Sequence, residues 1–307
     1  MKRVIVIFAP TACGKTALAE NIFGKGSLSC FKGRGEVVSA DSQTVYRGLN
    51  IGTAKPSPEE MEQLPHHLID IVSPSVQFGA GDFFDLADAA CREILSRNKF
   101  PVVVGGSGFY IRNFLMGLTS APVCSPQMRQ FIKDRLAAEG GRVLYEELCA
   151  VDPVYAAKIN PNDSSRVCRA LEVYHTSGMP LSSYKMPETL RPDYEFLVLV
   201  LNRAREDLYR RIDLRVDKMF EDGLEQEVAA LVKNGCTKDT PAMKAIGYSE
   251  FFLDGMTLPQ IRERIKLDSR HYAKKQYTYM KGIPGAVIVD ADDREKIESL
   301  IMKFCSR

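Results

Sequence analysis

Val4-Ile5-Val6-Ile7-Phe8-Ala9-Pro10-Thr11-Ala12-Cys13-Gly14-Lys15-Thr16 is the stretch that decides the fold. Its first five residues are an unbroken apolar run, which suits a strand covered on both faces. The next eight match G-x-x-x-x-G-K-[ST] at every position but the first. In that arrangement backbone N–H groups wrap a phosphate at the start of a helix. Lys15 adds a positive charge, and the Thr16 hydroxyl is placed to hold Mg²⁺. Ala9 stands at the glycine position, where alanine is strained if φ is positive.

Further apolar runs at 37–39, 68–72 and 102–104 read as strands, with a helix over 82–97 between the last two. Alternation of this kind predicts a parallel sheet covered by helices. From 121 to 192 the character changes to charged residues and prolines. Helical periodicity appears there at 128–138, 143–148 and 165–175, without a strand. A strand at 196–201 returns the chain to the sheet. Helices at 206–221, 225–233 and 258–281 follow, then a strand at 286–290 and a helix at 295–304. The expected architecture is α/β: a P-loop NTPase-like parallel-sheet core from 1–120 and 193–307, interrupted by a helical insertion at 121–192.

Composition excludes several classes. Of 307 residues, 45% are hydrophobic and 26% charged, as in ordinary globular chains. No apolar run approaches a membrane span, so no membrane partner is expected. The basic opening, Met1-Lys2-Arg3, is followed by too short an apolar stretch for a signal peptide. Eight cysteines without a C-x-x-C pair fit reduced thiols better than disulfides or zinc. A cytoplasmic protein is therefore expected. The net charge of +2 decides nothing, and only local clustering can argue for nucleic acid. Residues 262–281 supply such a cluster, with seven basic residues against two acidic ones, interleaved with Tyr272, Tyr277 and Tyr279. Charge with aromatics suits single-stranded RNA, although an amphipathic helix burying its tyrosines has the same look.

A phosphate loop names a ligand class, not a reaction. Nucleotide hydrolases and small-molecule kinases place a Mg²⁺-holding Asp at the end of an apolar strand. Here Pro101-Val-Val-Val-Gly-Gly-Ser-Gly108 ends in glycines, and Asp70 follows only a short run. Asp41 lies just past the second strand, at the edge where open α/β sheets bind ligands. By position alone it serves equally well as a cap for the next turn.

The run Asp41-Ser42-Gln43-Thr44-Val-Tyr-Arg-Gly-Leu-Asn-Ile-Gly-Thr-Ala-Lys-Pro56 separates these readings. Together with Pro65-His-His-Leu-Ile-Asp70, Gly105-Gly-Ser-Gly-Phe-Tyr110, Asn160-Pro-Asn-Asp163, Arg166-Val-Cys-Arg-Ala-Leu-Glu-Val173, Lys244-Ala-Ile-Gly-Tyr248 and Arg270-His-Tyr-Ala-Lys-Lys-Gln-Tyr-Thr278, it resembles the tRNA dimethylallyltransferase family. The resemblance runs through nearly the whole chain in one order. It implies transfer of a dimethylallyl group from dimethylallyl diphosphate to an adenine beside a tRNA anticodon, with Mg²⁺ as cofactor and a monomeric enzyme. A base in a stacked loop is out of reach, so it must be flipped into a channel.

The resemblance also assigns residues. Asp41 becomes the general base, and Ser107 positions the amine or the diphosphate. Ala9 to Thr16 and Arg166 hold the diphosphate, and Thr16 and Asp41 hold the metal. The tRNA is met by Asp41, Ser42, Gln43, Thr44, Ser107, Arg129, Ser165, Arg166, Val167, Cys168, Arg169, Lys244, Gly247, Tyr248, Lys274, Lys275 and Gln276. The family usually has Gly at Ala9, Ser at Cys13 and Thr at Ser107. A thiol at a helix N-terminus is expected to ionise and oxidise readily. Two rivals remain. An adenylate isopentenyltransferase would prenylate free AMP, ADP or ATP, but needs neither the insertion nor Ala273-Lys-Lys-Gln276. A kinase or regulatory nucleotide-binding protein would bind ATP and transfer no prenyl group.

Overall fold

The first strand, β1 (Arg3–Phe8), has the period of a pleat built into its sequence. Val4, Val6 and Phe8 join the core on one side of the sheet, and Ile5 and Ile7 the core on the other. All five are fully buried, worth about 1.5–3 kcal/mol each. The computed structural model describes residues 2–306.

In chain order β1 is followed by α1 (Lys15–Phe23), β2 (Gly35–Ala40), α2 (Pro58–Gln63), β3 (His66–His67), α3 (Ala80–Ser96), β4 (Phe100–Gly105) and α4 (Gly108–Met116). Among the described residues the six strands form one sheet in the order β3-β2-β4-β1-β5-β6, with every pairing parallel. Here β5 is Glu195–Asn202 and β6 is Val287–Asp290. Parallel strands end at a common edge, so the segments after Phe8, Ala40, Gly105 and Asn202 emerge together.

Two compact units make up the chain, one of residues 1–117 and 189–307, the other of Leu118–Glu188. The second contains α5 (Pro126–Glu139), α6 (Gly141–Val151), α7 (Pro153–Ala156) and α8 (Ser164–Ser177) around Ile132, Leu144, Leu148, Val167 and Leu171. Ser125 caps α5 by accepting the Met128 N–H, and Asp163 caps α8 by accepting that of Arg166. The sheet-bearing unit closes with α9 (Arg205–Glu221), α10 (Leu224–Lys233), α11 (Leu258–Met280) and α12 (Arg294–Cys305).

Two expectations need correction. Residues 118–120, assigned to the core, belong to the helical unit, and residues 189–192, assigned to the insertion, belong to the sheet-bearing unit, where the Arg191 N–H donates to Leu115 O at 2.9 Å. The strand expected at 68–72 does not form, and β3 lies just before it, at His66–His67. Leu68 and Asp70 take φ of 64° and 54°, which no strand tolerates. The cause is polar. Lys55 Nζ donates to Tyr46 O, Asn50 Oδ1 and Asp70 Oδ1, while Asp70, Ile71 and Val72 donate their N–H groups to Thr44 O and Val45 O. The segment pairs with a loop instead of a strand.

Candidate active site

The loop of residues 9–14 leaves β1 and turns into α1. Positive φ falls on Ala12 (59°) and Gly14 (96°), not on Ala9, so the alanine at the glycine position of the motif is unstrained. The strain sits three residues later, at about 1–2 kcal/mol for a left-handed alanine. Cys13 also departs from expectation. Its thiol is fully buried and points at Leu201 O, 3.8 Å away. Burial raises its pKa, against the opposing pull of Arg203 and Lys15, so the thiol is less acidic than usual, not more.

A cavity of about 320 Å³ opens at the sheet edge beside this loop. Lys15 and Thr16 from α1, Asp41 from the end of β2, Arg215 from α9 and Tyr272 from α11 all line it. Asp41 does two things at once. Its Oδ1 accepts the Gln43 N–H at 2.9 Å, closing a tight turn, and its carboxylate faces the cavity. Ser107 braces that turn, because its Oγ accepts the Ser42 N–H at 3.0 Å while its own N–H donates to Ala40 O. Ser42, Gln43 and Thr44 also line the cavity. The Thr44 hydroxyl, however, is buried against Ser39 at 3.1 Å. Gln43 Oε1 is buried with no hydrogen-bond partner among the described residues.

Burial depresses the pKa of Lys15, opposed by Asp41 and assisted by Arg215. It depresses that of Arg215 as well, again opposed by Asp41. Two cations and one carboxylate thus share a partly desolvated space, which suits a bound anion of more than one charge. Tyr272 has its pKa pushed up to about 12, by burial first and Asp41 second, so its hydroxyl keeps its proton.

Sequence reasoning missed Arg215. Its Nη1 donates to Thr11 Oγ1 at 3.0 Å and its Nη2 to Thr53 O at 3.2 Å, which ties the phosphate loop to a second wall of the cavity. A signal was present. Ile212, Val216 and Met219 form the buried stripe of α9, and Arg215 lies on that stripe.

Several residues assigned to the tRNA turn inward instead. Tyr248 is fully buried and its hydroxyl donates to Glu227 Oε1 at 2.6 Å. Gln276 is 5% exposed, and its carboxamide is used by backbone. Oε1 accepts the Thr11 N–H at 3.0 Å, and Nε2 donates to Gly106 O at 2.8 Å. A methyl group on Gly106 would come within 2.3 Å of that Nε2, which is why β4 runs out into glycine and not into a carboxylate. Lys244 and Gly247 line the cavity, the former exposed. Lys274 and Lys275 are exposed on α11. Tyr277 exchanges hydrogen bonds with the Arg203 backbone.

The remaining residues belong to the helical unit. Arg129, Ser165 and Arg166 are exposed, and Arg166 pairs with Asp163 at 3.4 Å. Val167 and Cys168 are buried in that unit's core, so their side chains face away from any RNA. Arg169 is partly buried and donates to Cys124 Sγ and Pro122 O, so it holds the 122–124 segment rather than standing as a free clamp.

Among the described residues no helix is long and apolar enough to cross a membrane, and no three His, Cys, Asp or Glu side chains gather as a metal cluster.

Comparison with known proteins bears on this cavity. The family model described as IPP transferase matches residues 44–282. The chain is 40% identical to the tRNA dimethylallyltransferase of Geobacter sulfurreducens, over 98% of this chain and 96% of that one. It is 43% identical to tRNA dimethylallyltransferase 2 of Geotalea uraniireducens, over 90% and 88%. Among solved structures, the tRNA isopentenylpyrophosphate transferase of Bacillus halodurans superposes with a TM-score of 0.69 at 34% identity, covering 100% of this chain and 97% of that one. A eukaryotic dimethylallyltransferase acting on tRNA gives 0.77 at 30% identity, covering 99% and 78%. With the family model matched over residues 44–282 and relatives at 40% identity or more along nearly the whole chain, the chain belongs to the IPP transferase family.

Proposed function

We propose that this chain is a tRNA dimethylallyltransferase: it moves the dimethylallyl group of dimethylallyl diphosphate onto the exocyclic amine of the adenosine 3′ of the anticodon, and diphosphate is released. The observation that carries this is the placement of Asp41 in one cavity with Lys15, Thr16 and Arg215.

In the reaction the C–O bond to diphosphate breaks and a C–N bond to the amine forms. Diphosphate leaves with the electron pair, and one amine proton goes to a base. The leaving group gains charge, so donors already in place lower the barrier most. The backbone N–H groups where the loop opens α1, together with Lys15 and Arg215, are those donors. The adenine amine is a poor nucleophile, and a carboxylate accepting its proton is worth about 10²–10⁴-fold. Asp41 takes that role, with Ser107 fixing the turn that aims it. Tyr272, protonated, lines the channel through which the flipped base enters.

The oxygen donors present suit Mg²⁺. Thr16 and Asp41 line the cavity with hard oxygen donors and would hold the ion there. When bound, Mg²⁺ supplies positive charge to the departing diphosphate. Asp41 is the shared group of these two tasks, and the proton is the one we assign to it first.

The tRNA is gripped by exposed basic residues. Lys244, Lys274 and Lys275 lie on the sheet-bearing unit, and Arg129 and Arg166 on the helical unit, which meets the anticodon stem. The protein works as a cytoplasmic monomer. Incubation with labelled dimethylallyl diphosphate and, separately, unmodified tRNA, AMP or ATP tests the proposal. Label in tRNA alone is expected. Label in AMP or ATP would make the chain an adenylate isopentenyltransferase, and label in none of them would remove the prenyl transfer.

A further inference from the structure

Glu227 occupies a position that a helix normally gives to an apolar side chain. On α10 the buried residues are Leu224, Val228 and Leu231, and Glu227 lies on their stripe, one turn from Leu224. Its carboxylate is shared between one loop and one tyrosine. Oε2 accepts the N–H of Asn50 at 2.9 Å and of Ile51 at 2.9 Å, Oε1 accepts that of Gly52 at 3.3 Å, and Tyr248 donates its hydroxyl to Oε1 at 2.6 Å. Three consecutive backbone donors closing on one anion form a nest.

This nest sits directly behind the cavity wall. Gly52 and Thr53 line the cavity, and Thr53 O is where the Arg215 guanidinium is anchored. Tyr248 presses on the same place. A methyl group at Gly52 would stand 2.5 Å from its ring, so the loop lies flat against the tyrosine. The loop also carries bonds of its own, Thr53 Oγ1 to Leu49 O at 2.7 Å and the Ala54 N–H to Ile51 O at 3.0 Å, but the N–H groups of Asn50, Ile51 and Gly52 turn outward to Glu227, and Ala54 is left-handed at φ 48°. The anion on α10 takes up these three donors.

We infer that Glu227 is a positioning residue for the reaction. It freezes residues 50–53 so that the Thr53 carbonyl and the Thr11 hydroxyl together aim Arg215 at the diphosphate. The inference rests on the assignment of Arg215 to the diphosphate site, and it adds a control point on the far side of the wall. Glu227 touches no substrate. It acts by removing the freedom of a carbonyl that an arginine leans on.

The test is a double-mutant cycle read by calorimetric titration of inorganic diphosphate, with a thermal melt of each variant alongside. Glu227→Gln keeps the shape but turns an amide donor toward the N–H groups. It is expected to weaken diphosphate binding about tenfold in the wild-type background and less than twofold when Arg215 is already Gln. Tyr248→Phe removes one donor without touching the nest and is expected to weaken binding about threefold with the same dependence on Arg215. It decides the matter if Glu227→Gln does not fold. An equal loss in both backgrounds, or no loss from either variant, overturns the inference. Prenyl transfer by the wild-type enzyme is scored separately: coupling without transfer to tRNA refutes the proposed activity and leaves the inference standing, and transfer without coupling does the reverse.

Discussion

Gln276 holds Thr11: from α11, its Oε1 accepts the Thr11 N–H at 3.0 Å while its Nε2 donates to Gly106 O at 2.8 Å. One side chain therefore joins the phosphate loop to the end of β4. Gln276→Ala would leave the buried Gly106 C=O unpaired, at about 1–3 kcal/mol, and free the part-buried Thr11 N–H. The expected result is a diphosphate affinity lower by about tenfold or more and a lower melting temperature, measured by calorimetry. Gly106→Ala, which forces the carboxamide away, should behave alike.

Asp41→Asn preserves the shape of the turn at Gln43 but removes the proton acceptor. Single-turnover prenylation should slow by about 10²–10⁴-fold while inorganic diphosphate still binds within a few-fold of wild type. A variant that keeps its chemical rate would take the base role away from Asp41.

Cys13 should be inert in the folded enzyme. Its thiol is buried and its pKa is raised by that burial, so little thiolate forms at neutral pH. Iodoacetamide should label Cys13 only after denaturation, as peptide mass analysis would show, and Cys13→Ser should remain active. Rapid native labelling that stops activity would contradict the burial.

Glu36 makes the fold acid-sensitive. Burial alone would raise its pKa, but hydrogen bonds from His67, Lys99 and Arg97 outweigh that and hold it at about 2, below the ordinary 4.5. A depressed carboxylate contributes stability above its unfolded pKa and loses it as pH falls through the folded one. Denaturant midpoints should therefore drop between about pH 4.5 and 2, and Glu36→Gln should flatten that part of the curve.

Lys274 and Lys275 test the RNA face. Replacing both with Ala should raise KM for tRNA and leave diphosphate binding unchanged. The slope of log KM against log salt should fall by about one for each phosphate that is no longer neutralised. An unaltered salt slope would place the RNA on another face.

How far the sequence can be read depends on whether an interaction is local. The phosphate loop, β1 and the α11 basic cluster are consecutive residues and are legible as such. β3 misleads because Leu68 to Val72 is apolar enough for a strand, while the groups that bend it, Lys55 and the 44–45 carbonyls, lie more than ten residues away. Tyr248 and Gln276 are assigned to the RNA by resemblance, which carries a residue's motif but not the direction of its side chain. Both face inward, one to Glu227 and one to Thr11. Arg215 and Glu227 pass for ordinary helix charges, although each breaks an apolar stripe, and local rules tend to be broken where function demands it.

The hydrogen bond from Arg191 to Leu115 has a practical corollary. It clasps the outgoing and returning segments of chain at the root of the helical unit, so the two cut ends left by excising 118–188 would already be neighbours. A turn of a few residues would rejoin them, and the same seam would accept a foreign module grafted in its place while the sheet and its cavity stay as they are.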